Sequence, residues 1–128
     1  MLKIDLVFLT LAAACLLCGV SLGISMGMRH DFALAPVHAH VNLVGWASLA
    51  LYGLTYRAYP ALQQSVWAKV HLVLSGVSGP LFPLGIYYAI FADNSLITTI
   101  TAPMWWLGAL VFLASLVRLL LKREPKPA

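Results

Sequence analysis

The residues able to do chemistry are few. Four histidines occur, His30, His38, His40 and His71, and three of them lie in or beside long apolar runs. An imidazole within a membrane is costly and usually functional. The blander reading is a ring hydrogen-bonded to a neighbouring helix. The pair His38-Ala39-His40 strains that reading, because two imidazoles in the opening turns of one helix need two partners. Residues i and i+2 lie about 200° apart on a helix, so the two rings point to nearly opposite sides. They do not readily chelate one ion together. Either they serve two centres, or one ligates while the other bonds to a helix.

The stripe through His38 continues with Asn42, Gly45, Leu49, Tyr52 and Tyr56, and Gly45 leaves space for something flat or bulky. The stripe through His40 (Leu43, Val44, Ala47, Leu51, Leu54) is apolar. Both surroundings suit a porphyrin, an apolar plate that needs an axial imidazole. His71 heads a further stripe of Ser75, Ser78, Gly79 and Phe82, which reads equally well as close helix packing. At 1.5 Å per residue, His71 should lie roughly 10–15 Å deeper than the pair, too far for one ion to bridge. It is expected to be a packing or proton-handling residue. His30 is nearer in depth and sits beside Arg29 and Asp31.

Cys15 and Cys18 share one helix face at i, i+3. Mid-membrane, they read as small apolar packing residues, and helix 1 offers too few further ligands for zinc. On the same face Gly19, Gly23 and Gly27 recur at i, i+4. Such a small-residue stripe lets helix backbones approach closely in lipid. It predicts either an intramolecular seam or an interface between copies. A chain this small encloses a large cofactor only with difficulty, which points to a homodimer.

The elements that must position these residues follow from composition. Of 128 residues, 62% are hydrophobic and 9% charged, against roughly 25% charged in soluble domains. A soluble enzyme, a nucleic-acid reader and a disordered chain are excluded. Apolar runs at about 4–28, 36–58, 64–91 and 96–121 each approach the ~20 residues that cross a bilayer as a helix. The first run is too long for a cleavable signal peptide and lacks a clean cleavage site. Pro36 suits a first helical turn, Tyr59-Pro60 ends the second run, and Asp93-Asn94-Ser95 signals a turn. Pro80 and Pro83 predict a kink or loosened turn in the third run. Residues 122–128 read as a polar cytoplasmic tail. Strands are not expected, since an open sheet cannot span lipid.

The predicted fold is an all-α, integral membrane four-helix bundle, one domain over residues 1–121. Lys3, Arg57, Lys69, Arg118, Lys122, Arg123 and Lys126 fall on one side and only Arg29 on the other. The positive-inside rule then puts both termini in the cytoplasm of a bacterial-type inner membrane. Tyr56, Tyr59 and Trp67 near the inner interface, and Tyr87, Tyr88, Trp105 and Trp106 near the outer one, agree with this.

The segment Pro36-Val37-His38-Ala39-His40-Val41-Asn42-Leu43-Val44-Gly45-Trp46 resembles the tenth helix of the catalytic subunit of haem-copper oxidases, most closely the cbb-type and nitric oxide reductase-like branch. Trp67-Ala68-Lys69-Val70-His71-Leu72-Val73-Leu74-Ser75-Gly76, with Pro80 or Pro83 beyond it, resembles the start of the eleventh. The resemblance covers less than half the chain. It implies haem b ligation near the outer face, with His38 matching the high-spin haem ligand and His40 the low-spin one. The family's copper centre needs further histidines that this chain does not supply, and helix 1 has no histidine for the second axial position. Met26, Met28, His30 or a histidine of a second copy would have to take that place.

The reading placed first is a haem b-binding membrane protein, a homodimer acting in electron transfer or diatomic-gas binding, with its redox partner unspecified. Arg29 could pair with a propionate, and Asn42 or Asp31 could orient an imidazole. A second reading is a copper or zinc site of His30, His38 and His40 for oxidase assembly. A third is a structural membrane protein without a cofactor. A small multidrug exporter is excluded for want of a glutamate in the first helix: the only glutamate is Glu124.

Overall fold

The computed structural model describes residues 3–121. The tail at 122–128, and the charges counted on it, lie outside the described residues. The described residues are almost entirely helical and contain no strand. Helix α1 spans Ile4–Arg29, α2 Ala35–His40, α3 Leu49–Ala58, α4 Pro60–Gln63, α5 Val66–Phe91 and α6 Leu96–Leu121; a π-helical segment, Val41–Ser48, joins α2 to α3 without leaving helical backbone angles.

Three helices, α1, α5 and α6, are long and apolar enough to cross a membrane. At 26 residues each they extend about 39 Å. Their outward residues, such as Leu17, Leu113 and Leu120, are apolar and exposed, as a lipid-facing surface requires. Three hydroxyls within these apolar helices are satisfied locally: Ser78 donates to the Leu74 carbonyl at 2.6 Å, Thr101 to Ile97 at 2.7 Å and Ser115 to Val111 at 2.8 Å.

Local chemistry sets the ends. His30 closes α1 in the left-handed region, φ 51°, its N–H donating to the Met26 carbonyl. Asp31 Oδ1 then accepts from the Ala33 N–H at 3.0 Å, an Asx turn. Ser65 caps α5, its hydroxyl accepting from the Trp67 N–H at 3.2 Å. α5 remains one helix through Pro80 and Pro83. The irregular winding lies elsewhere, in Val41–Ser48, where the Ser48 hydroxyl bonds five residues back to the Leu43 carbonyl at 2.7 Å.

Helix α1 packs on α2, the π segment, α3 and α5, and α6 lies along α5. Segments consecutive in the chain, with α2–α3 as one, run antiparallel, so α1 and α5 run parallel. Asp5 faces Arg57 at 3.7 Å, Phe8 meets His71, and Arg118 lies over the Trp67 ring at 5.3 Å. The start of α1, the end of α3, the start of α5 and the end of α6 therefore share one end. The core at that end is Ile4, Phe8, Leu49, Tyr52, Tyr56 and Ala68.

Glycines set the approach distances. A Cβ on Gly19 would lie 2.5 Å from Asn42 Oδ1, and one on Gly23 would lie 3.0 Å from His38 Cε1. These two glycines form an intramolecular seam, whereas Gly27 faces open space. Between α5 and α6, a Cβ on Gly85 would lie 2.8 Å from the Thr98 backbone nitrogen. Backbone cannot swing aside, so Gly85→Ala is expected to destabilise the protein by about 1–3 kcal/mol. Gly27→Ala should be neutral, or stabilising by up to ~1 kcal/mol from helix propensity. Denaturant midpoints in detergent, followed by tryptophan fluorescence, separate the two. Equal midpoints would mean that α5 and α6 part freely at that level.

Candidate functional site

His38 and His40 occupy the last turn of α2, immediately before the π segment. His38 Nδ1 lies 2.9 Å from the Gly19 carbonyl of α1. A carbonyl can only accept, so Nδ1 carries a proton, and in the neutral ring Nε2 holds the lone pair. Asn42 does not compete. Its amide donates to the His38 carbonyl at 2.8 Å and stands 3.4 Å from Nδ1. His40 repeats the pattern within its own helix, Nδ1 donating to the Pro36 carbonyl at 2.8 Å. Its ring meets Phe82 of α5 edge-on, centroids 5.4 Å apart. Both histidines are half-buried. Imidazoles that bind metals are commonly held this way, with the second ring nitrogen bonded to a backbone carbonyl that fixes tautomer and orientation.

The other residues singled out in the sequence are less well gathered. Arg29 is exposed in the last turn of α1, His30 is its exposed cap, and Asp31 is engaged in the following turn. Asn42 stays beside His38, so of the two candidate orienting residues only Asn42 is in place. Gly45 differs from expectation: a Cβ there would lie 2.8 Å from Cys15 Sγ. The room assigned to a flat ligand is filled by α1, and Gly45 is a point of close helix approach. Among the described residues no three His, Cys, Asp or Glu side chains gather as a metal-ion site. His30, His38 and His40 are therefore not assembled into a copper or zinc centre. The reason is geometric: two of them diverge around α2 and the third caps another helix.

Cys15 is buried and Cys18 exposed, and both thiols are free. Together with Val37, Val41, Pro80 and Pro83 they border an apolar cleft of about 340 Å³. Neither His38 nor His40 lines it.

A second constellation surrounds His71. The ring is wholly buried. Its centroid lies 4.5 Å from Tyr52, 5.1 Å from Phe8 and 5.3 Å from Phe112. Nδ1 stands 2.9 Å from Tyr56 Oη, while Nε2 and the nearby Ser75 hydroxyl have no hydrogen-bond partner. The protons cannot be arranged to satisfy everything. If Tyr56 donates to Nδ1, Nε2–H is a buried donor without an acceptor. If Nδ1–H donates to Tyr56, the phenol proton is left over and Nε2 is a bare acceptor. A doubly protonated ring again leaves Nε2–H alone. Each orphan costs about 1–3 kcal/mol.

The sequence placed Tyr52 and Tyr56 on the His38 stripe but did not join them to His71. Depth was the available signal, since Tyr56 lies two residues from the end of α3 and His71 five from the start of α5. The two histidine levels are far apart. His38 meets α1 at Gly19 and His71 meets it at Phe8, a separation of roughly 16 Å along the helix.

No family model, curated protein or solved structure matches the chain.

Proposed function

We propose that this chain is a haem b-binding membrane protein related to the catalytic subunit of haem-copper oxidases, acting in electron transfer or diatomic-gas binding. The observation that carries the reading is the pair of backbone-anchored imidazoles. Both His38 and His40 commit Nδ1 to a carbonyl and leave Nε2 as the basic nitrogen. Two further features support it. The pair adjoins a π-helical stretch, a winding found frequently at functional sites. The donor set also suits a porphyrin better than a bare ion. Copper or zinc asks for three or four protein donors, and none of the described residues cluster so. A porphyrin brings its own four nitrogens and asks the protein for one or two.

The residues that would hold the group are His38 and His40, with Asn42 bracing the His38 turn. Bound there, haem supplies one-electron chemistry or an open iron position for a diatomic ligand. In the same reading the Ala35–Ala58 path is a fourth crossing, about 36 Å of helix. Both ends of the chain then face the cytoplasm of a bacterial inner membrane. Because His38 and His40 diverge, one chain cannot offer both rings to one iron. A second copy completes the coordination, which is the role given to the homodimer.

The test is the reduced-minus-oxidised optical spectrum of protein purified in detergent from its own host. A b-type signal at a fixed stoichiometry to protein is expected. A colourless preparation would end this proposal.

A further inference from the structure

We propose that His71 and Ser75 hold a bound water molecule, with Tyr56 fixing the imidazole from its Nδ1 side, in a buried polar site separate from His38 and His40. The starting point is the pair of unpartnered atoms, His71 Nε2 and Ser75 Oγ, on residues with no solvent exposure. Other hydroxyls in these helices, those of Ser78, Thr101 and Ser115, bond the carbonyl four residues back. Ser75 has the same option in the His71 carbonyl and does not take it. Its hydroxyl instead occupies the space left by the missing side chain of Gly108 on α6, where a Cβ would collide with it.

His71 and Ser75 are i and i+4 on α5, so their Cβ atoms lie about 5–6 Å apart on one face. One water with two hydrogen bonds of about 2.8 Å spans that order of distance. A buried water needs at least two polar partners, and these two atoms supply them. With the water in place one arrangement leaves neither His71 nitrogen bare: Tyr56 donates to Nδ1, Nε2–H donates to the water, and Ser75 Oγ makes the water's second bond. The site lies roughly 8 Å along α5 from its Val66 end, the end that carries Arg57 and Arg118. Water there gives a fully buried ring an exchangeable hydrogen-bond partner.

The experiment is water-edited solid-state NMR of the full chain in lipid, with carbon- and nitrogen-labelled histidine. Only four histidine spin systems need resolving. Polarisation from water is expected to reach the His71 ring although the residue is buried. Ser75→Ala should abolish most of that transfer and leave the His38 and His40 signals unchanged. Gly108→Ala, which displaces the Ser75 hydroxyl without removing it, should weaken it likewise. Absence of transfer to His71 in the unsubstituted protein overturns the proposal. So does transfer that persists unchanged in Ser75→Ala.

Discussion

The double variant His38→Ala, His40→Ala is expected to lose the b-type absorbance entirely while keeping its helical circular dichroism. The two single variants should differ for a reason visible in their anchors. His40 bonds only within its own helix, to the Pro36 carbonyl at 2.8 Å. Its removal frees a carbonyl that already has a backbone partner available, so structure should be little affected. His38 ties α2 to α1 through the Gly19 carbonyl at 2.9 Å. Its removal subtracts one inter-helix hydrogen bond, worth about 1 kcal/mol, as well as a ligand. A fall in absorbance in His40→Ala is therefore the cleaner reading of ligation. Added imidazole offers a further discrimination. A ring-sized vacancy next to a ligand position should take up free imidazole and recover the signal, whereas a variant that has lost packing should not recover. An intact spectrum in the double variant removes both residues from the haem assignment.

The helical class and the membrane character were legible because they rest on quantities summed over many residues. A 26-residue helix holding an 18-residue window of mean hydropathy 2.4, as α1 does, has no soluble alternative of equal plausibility. The seam through Gly19 and Gly23 was legible as close packing, but not its partner. Both an internal helix and a second copy satisfy a small-residue stripe, and only the positions of Asn42 and His38 decide. Gly45 was misread for the same reason. A missing side chain in a sequence looks like room, and here Cys15 occupies it.

The π segment had no signal at all. Proline is the readable cause of irregular helix, and it drew attention to Pro80 and Pro83, across which α5 continues unbroken. The winding of Val41–Ser48 instead lies where the segment packs against α1 and α5, contacts made far along the chain. The divergence of His38 and His40 was predicted from helical geometry, and their attachment to different helices agrees with it. What geometry on one helix could not provide was the identity of the Nδ1 partners. One of them, Gly19, comes from nineteen residues away.

Truncating His71 should strongly destabilise the helix bundle. The ring is fully buried, stacked at 25° against Phe112, edge-on to Tyr52 and bonded to Tyr56. His71→Ala removes an aromatic-sized volume from the core that joins α1, α3, α5 and α6. Comparable aromatic truncations cost about 3–5 kcal/mol. It also strands the Tyr56 hydroxyl. His71→Phe makes a sharper comparison. The ring contacts survive and the Tyr56 bond is lost, at about 1–3 kcal/mol. With Nε2 hydrogen-bonded to the proposed water, nothing offsets that loss, so His71→Phe should be less stable than the parent protein but more stable than His71→Ala. Denaturant unfolding in detergent, read by tryptophan fluorescence, resolves the difference because Trp105 packs on Tyr52 at 5.9 Å. If His71→Phe is as damaging as His71→Ala, the imidazole nitrogens contribute more than the Tyr56 bond. If neither variant is destabilised, the aromatic cluster does not hold the helices together.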